Sequence, residues 1–170
     1  MRIVTAALLL ACASTAFAQS VNVNYVPGTN FSNYHSYRWV AVDKDSPVDP
    51  ITDQEIKSAV DKQLAAKGFT KKDADPVDMY AAYQVAMDKE KELEAWGAPG
   101  WRFNGMGSVT TSTVDIGTLA IDFYDPGKKE LVWRGSASET VSKSGNPEKK
   151  QEKLDKAMSK LLKKFPPAPK

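Results

Sequence analysis

Few side chains in this sequence have the type and spacing that chemistry demands. The single histidine, His35, precedes Tyr37 and Trp39 in a strand-like stretch and reads as a surface or edge residue. One His and one Cys cannot supply the nitrogen and sulfur ligands of a zinc-type centre. Asp43, Asp45 and Asp49 are spaced like the start of a calcium loop. The turn glycine of such a loop is missing, however, and Gln54 stands where its bidentate glutamate belongs. Nucleophilic catalysis needs a Ser, Thr or Cys beside an oriented base, and no Gly-x-Ser-x-Gly elbow occurs. No glycine-rich phosphate turn joins a strand to a helix, and no motif singles out two carboxylates for glycosidic chemistry. The sequence therefore predicts no catalytic residue, no metal site and no cofactor.

Three features suit binding better than catalysis. Residues 96–107 interleave Trp96, Trp101, Phe103 and Met106 with glycines and Pro99. Large apolar side chains on an exposed loop can anchor a ligand, a membrane or a partner protein; the alternative is a lid folded over the sheet edge. The C-terminal stretch from Lys143 carries nine lysines against Glu148, Glu152 and Asp155. Lys149, Lys153, Lys156, Lys160 and Lys163 make a basic helix face, open either to anionic partners or simply to solvent. Asp122 and Arg134, brought together on one sheet face, are expected to form a cross-strand ion pair.

The elements that must carry these residues begin with short strands. Val21, Val23 and Tyr25 alternate with asparagines, and Pro27-Gly28 ends the run. Tyr37, Trp39 and Ala41 mark a second strand, and residues 44–50 read as a polar linker. A helix follows, with Thr52 and Glu55 as a capping box and Ile51 and Ile56 at staple positions. Its stripe is Ile56, Ala59, Val60 and Leu64, and Gly68 closes it, with Phe69 folding back on Leu64. Val77, Met79, Ala81, Tyr83, Val85 and Met87 then share one strand face, leaving the other wet. Residues 89–94 read as a charged extension past the core.

After the aromatic loop the chain returns through Leu119, Ile121 and Phe123, turns at Asp125-Pro126-Gly127-Lys128, and resumes at Leu131 and Trp133. Keeping the apolar residues together sets Tyr124 opposite Glu130, Phe123 opposite Leu131 and Ile121 opposite Trp133, with Asp122 diagonal to Arg134. Asn146 and Pro147 open a last helix, whose stripe is Leu154, Ala157, Met158, Leu161, Leu162 and Phe165. The expected fold is α+β: an antiparallel sheet of about five strands with two amphipathic helices on one face, in the order β-β-α-β-β-β-α.

The first eighteen residues give an address. Arg2, the apolar run from Ile3 to Ala11, and Ala16-Phe17-Ala18 have the plan of a secretory signal cut after Ala18. Residues 19–170 then form one envelope domain without a cysteine, whose stability rests on packing. The rival reading takes Leu9-Leu10-Ala11-Cys12 as a lipobox, with Cys12 lipidated.

Three segments together resemble a known family. Asn24-Tyr25 leads to Phe31, Tyr34, Tyr37 and Trp39. Gly117-Thr118-Leu119, Ile121-Asp122 and Asp125 lead through a turn into Leu131-Val132-Trp133-Arg134-Gly135. The last helix ends in Phe165-Pro166-Pro167. This pattern is similar to the bacterial envelope domain of unknown function 4136, over essentially all of residues 19–170. The resemblance implies an α+β envelope protein, often lipid-anchored, with no assigned activity and no functional residues to transfer. The Ala16-Phe17-Ala18 site departs from the lipoprotein pattern.

The expectation is a non-enzymatic binding or structural module in the periplasm. The alternatives are a carrier of a small apolar ligand or lipid, with its pocket between the sheet and the aromatic loop, and an outer-membrane lipoprotein. Partners in that compartment would be an envelope protein, a lipid or an anionic cell-wall polymer, not nucleic acid. Intact-mass analysis of the native protein from soluble and membrane fractions decides the address. A soluble species starting at Gln19 is expected; a lipid-bearing species starting at Cys12 would establish the anchored form instead.

Overall fold

Alternating apolar residues build a sheet whose strands are named here in chain order: β1 (Ser20–Tyr25), β2 (Ser36–Trp39), β3 (Thr70–Lys71), β4 (Met79–Trp96), β5 (Ser108–Asp125) and β6 (Glu130–Thr140). Two helices, α1 (Pro50–Ala66) and α2 (Pro147–Leu162), complete the fold. The computed structural model describes residues 20–41, 48–96, 108–140 and 146–167, without the side chains of 89–96 and 108–114.

The sheet is six-stranded and ordered β1-β6-β5-β4-β2-β3. The β1, β6, β5 and β4 neighbours pair antiparallel, whereas β2 runs parallel to both β3 and β4. The expected all-antiparallel sheet of about five strands is thus corrected to a mixed one. The reason is topological: parallel neighbours need a long crossover, and α1 supplies it between β2 and β4. Two-residue β3 is the strand that sequence periodicity could not register.

Both helices lie on the face carrying Met79, Ala81, Ile121, Phe123 and Trp133, all without solvent exposure. From α1 come Ile56, Ala59, Val60 and Leu64, and from α2 Ala157, Met158, Leu161 and Leu162. These are the stripes expected from their spacing. Just past α2, Phe165 meets the rings of Phe31, Phe69, Phe123 and Trp133 at centroid distances of 5.8, 5.5, 4.5 and 5.1 Å.

Helix ends follow capping chemistry. Asp49, not Thr52, caps α1: its carboxylate accepts from the Ile51 and Thr52 amides, and Pro50 takes the first turn. The Thr52 hydroxyl itself donates to Asp49 at 2.7 Å. An Asp followed by Pro outcompetes the later Thr for the cap, and the helix gains three residues. Ile51 consequently stands 70% exposed, so the expected staple does not form. At the other end, Gly68 (φ 86°) and the bonds Phe69 N–H to Leu64 O and Gly68 N–H to Ala65 O close a Schellman motif.

The β5–β6 register is also corrected. Tyr124 faces Leu131, Phe123 faces Trp133 and Ile121 faces Gly135, with an irregularity between Phe123 and Tyr124. Val132 is the extra residue of a bulge, and it is buried rather than wet. The bulge moves Asp122 directly opposite Arg134, which grips it with two bonds of 2.6 and 2.5 Å. The outer face is therefore not uniformly wet: Asp122 and Ala82 are fully buried there. On the inner face, Met87 is 60% exposed because no helix covers that end of β4.

Gly135 lies where Trp133 and α2 come closest. A Cβ there would overlap the Trp133 indole edge and lie 2.7 Å from Leu161 Cδ1. Overpacking of this kind costs about 1–3 kcal/mol. Gly135→Ala should lower the denaturation free energy by that amount in urea titrations; an unchanged midpoint would show that the indole has room to shift.

Candidate functional site

The N-terminal halves of α1 and α2 do not close over the sheet. Between them lies a cleft of about 490 Å³. Its floor is Val85 and Met87 of β4, Gly117 and Leu119 of β5, and Ala137 of β6. One wall is Ile56 of α1, and the other is Leu154, Ala157 and Met158 of α2. The core residues Val60, Leu64, Leu161 and Leu162 lie one or two turns further along the same helices. The cleft is thus the unfilled continuation of the core, left open because the long strands outrun the helices.

Polar groups in the lining are already engaged or sit at the mouth. Thr118 and Ser138, whose hydroxyls are 2.8 Å apart, share the outer sheet face with Asp122 and Arg134 and turn away from the floor, and the Thr52 hydroxyl donates to Asp49. Glu55 on α1, Glu139 on β6, and Lys149, Lys150 and Lys153 on α2 rim the opening. Lys153 Nζ pairs with Glu139 at 2.7 Å. Lys149 and Lys150 are exposed and make no ion pair with a described residue.

The basic face splits on this geometry. Lys149 and Lys153 line the cleft, while Lys156, Lys160 and Lys163 continue the exposed stripe away from it. The side chain of Trp96, at the end of β4, and residues 101, 103 and 106 lie outside the described residues, as does Cys12. The aromatic-loop and lipidation readings are therefore neither placed nor tested. The cleft among the described residues lies between the sheet and the two helices; the loop expected to close a pocket lies outside the described residues. His35 is exposed, with Nδ1 3.2 Å from the Asn33 carbonyl.

The carboxylates are structural fasteners. Asp61 on α1 accepts from the Tyr37 hydroxyl at 2.7 Å, the Trp39 indole at 2.8 Å and Lys71 at 2.8 Å, pinning the helix to β2 and β3. Two turns earlier, Asp53 accepts from the Tyr83 hydroxyl at 2.7 Å and from Lys57. Burial and the facing Asp61 push the Tyr37 hydroxyl pKa far up, and burial and Asp125 do the same to Tyr34. Desolvation works to raise the Asp53 pKa, but the bonds from Lys57 and Tyr83 outweigh it and hold the group below its usual value. Asp78 ties β2 to the start of β4, accepting from the Ser36 hydroxyl and the His35 and Ser36 amides. Sequence reading missed these fasteners; the signal was an Asp facing an inward Tyr, which only the tertiary pairing reveals.

Among the described residues, no group of three or more His, Cys, Asp or Glu side chains is arranged to hold a metal. None of the fastening aspartates lines the cleft. The arrangement offers apolar contact inside and charge at the rim, which suits binding.

These features define a small α+β domain with helices on one face of a mixed sheet, and the same fold occurs in solved structures. A PDZ domain protein from Parabacteroides distasonis aligns with a TM-score of 0.60 at 15% identity; the alignment covers 89% of this chain but only 37% of that protein. Weaker likenesses are a PelC dodecamer from Paraburkholderia phytofirmans (TM-score 0.48, 12% identity, 85% and 95% of the two chains) and a homolog of neuraminyllactose-binding hemagglutinin from Helicobacter pylori (0.40, 13%, 79% and 87%). No curated protein matches the sequence. The family model described as Domain of unknown function (DUF4136) matches residues 21–167, and the chain belongs to that family.

The fasteners make stability acid-sensitive. The Ser36 hydroxyl, then the His35 amide, hold the Asp78 carboxyl below its ordinary pKa. A depressed folded pKa contributes stability above the unfolded value of about 3.9, and that contribution is lost as pH falls through the folded pKa. Asp78→Asn should therefore flatten the fall in Tm between neutral pH and strongly acid solution; an unchanged acid slope would remove Asp78 from that role.

Proposed function

We propose that this protein is a non-catalytic binding module of the bacterial envelope, and that its ligand seat is the apolar cleft between the helices and the sheet. The observation that carries this reading is the cleft itself. Its volume of about 490 Å³ falls within the roughly 300–1,000 Å³ of small-molecule sites. Its walls are aliphatic, and the hydroxyls of Thr52, Thr118 and Ser138 already have partners. Lack of catalysis is part of the proposal and is supported by the carboxylates, whose bonds go to structural donors.

The envelope address is likewise proposed. It is supported by the charged and apolar halves of residues 2–11 and the Ala16-Phe17-Ala18 site. No helix among the described residues is long and apolar enough to cross a membrane.

Leu119, half-buried on the cleft floor between Val85 and Ala137, provides the test. Leu119→Trp fills the cleft without touching the fasteners. Titration of the neutral fluorophore phenylnaphthylamine should show saturable binding to the native protein and at least about tenfold weaker binding to the variant, with both folded by near-ultraviolet circular dichroism. Equal binding by the two folded proteins would place the seat elsewhere.

A further inference from the structure

We propose that the cleft takes a long-chain amphiphile with an anionic head, its chain along the floor and its head between Lys149 and Lys150. This rests on the cleft being the ligand seat and adds what the seat selects.

The interior argues for a hydrocarbon chain. Val85, Leu119, Ala137, Leu154 and Met158 offer only dispersion and burial. The nearby hydroxyls of Thr118 and Ser138 pair with each other at 2.8 Å on the outer sheet face, the side of Asp122 and Arg134, and so turn away from the floor. A sugar or a peptide backbone placed there would lose its bonds to water and gain none. The floor itself reaches solvent at Met87, which is 60% exposed, so the track runs outward to the mouth.

The rim argues for the head. Among the described residues, five charged groups surround the mouth: Glu55 from α1, Glu139 from β6, and Lys149, Lys150 and Lys153 from α2. Lys153 and Glu139 cancel through their 2.7 Å contact. Glu55 remains as an opposing charge on the far wall. Two adjacent lysines with no ion-pair partner among the described residues outweigh it, and they sit in the first turns of α2, where the helix dipole adds positive potential. A carboxylate or phosphate head would complete their pairing at the water boundary, where the charge keeps its hydration.

Calorimetric titration with laurate and dodecanol, which share one chain and differ in the head, tests this on the native protein. Laurate should bind at least about tenfold more tightly, with each added methylene in the series raising affinity by up to about fourfold. The Lys149→Glu, Lys150→Glu double variant changes only exposed side chains. It should lose that preference while still binding dodecanol. Equal affinity of the native protein for both heads would overturn the anionic selection and leave the cleft reading standing. Failure of both ligands to bind, or binding unaffected by Leu119→Trp, would overturn the cleft reading as well. Vesicles of phosphatidylglycerol and phosphatidylcholine separate the two sources of such a head. Uptake from phosphatidylglycerol alone would name a membrane lipid, and binding of laurate without vesicle uptake a free fatty acid. Self-association that laurate leaves intact and Leu119→Trp abolishes would instead make a second copy the occupant and refute the proposal.

Discussion

Everything in this fold converges on the ring of Phe165. It lies beyond the last helix, yet its neighbours come from the 3₁₀ turn at Phe31, from Phe69 just past the Gly68 closure of α1, and from the paired strands at Phe123 and Trp133. Aromatic contacts of this kind add about 0.5–1.5 kcal/mol each beyond simple burial. One side chain thus fastens four separate stretches of chain. The same crowding explains why Gly135 has no side chain, since Trp133 must lie flat beneath α2. It also holds the Trp133 indole N–H in place without an acceptor among the described residues, at about 1–3 kcal/mol.

The polar side of the structure obeys a complementary constraint. A sheet with helices on one face must cover tyrosines such as Tyr37 of β2 and Tyr83 of β4, and each covered hydroxyl needs an acceptor. Asp61 and Asp53 of α1 supply these, and Asp125 does the same for Tyr34 ahead of β2. The Asp61 and Asp53 bonds fix the tilt of α1 against β2 and β4. The far end of the helix pair stays open because the sheet continues while the helices have already begun. The cleft is therefore a product of unequal lengths: central strands of 18 residues extend about 3.3 Å per residue, whereas helices of 17 and 16 residues extend only about 1.5 Å per residue.

Much of this was legible in the residues. Both apolar helix stripes, the Gly68 closure, the Asn146 cap and the long inward alternation from Val77 to Val85 follow from period and capping chemistry alone. What was not legible depends on distant pairing. The parallel β2–β4 contact was hinted at by strand, helix and strand in succession, but period two carries no direction. The Val132 bulge looks like one more alternating residue until its partner strand is known. Asp49 could have been recognised as a cap from the Pro after it; a local signal was outweighed by a competing capping pattern at Thr52. The cleft could not be read at all, because a missing layer leaves no mark in the sequence that surrounds it.

The pairing of β1 with β6 sets the order in which the chain can fold. Ser20 pairs with Ser138 and Tyr25 with Trp133, so the first strand waits for a partner more than a hundred residues later. Phe165 then seals the core from near the C-terminus. Contacts of such sequence separation form slowly, because loop closure precedes their reward. Until nearly the whole chain is free, no part of it has a complete core to settle into. A polypeptide built this way stays pliable during synthesis and acquires its final shape only once Phe165 is free to reach the core.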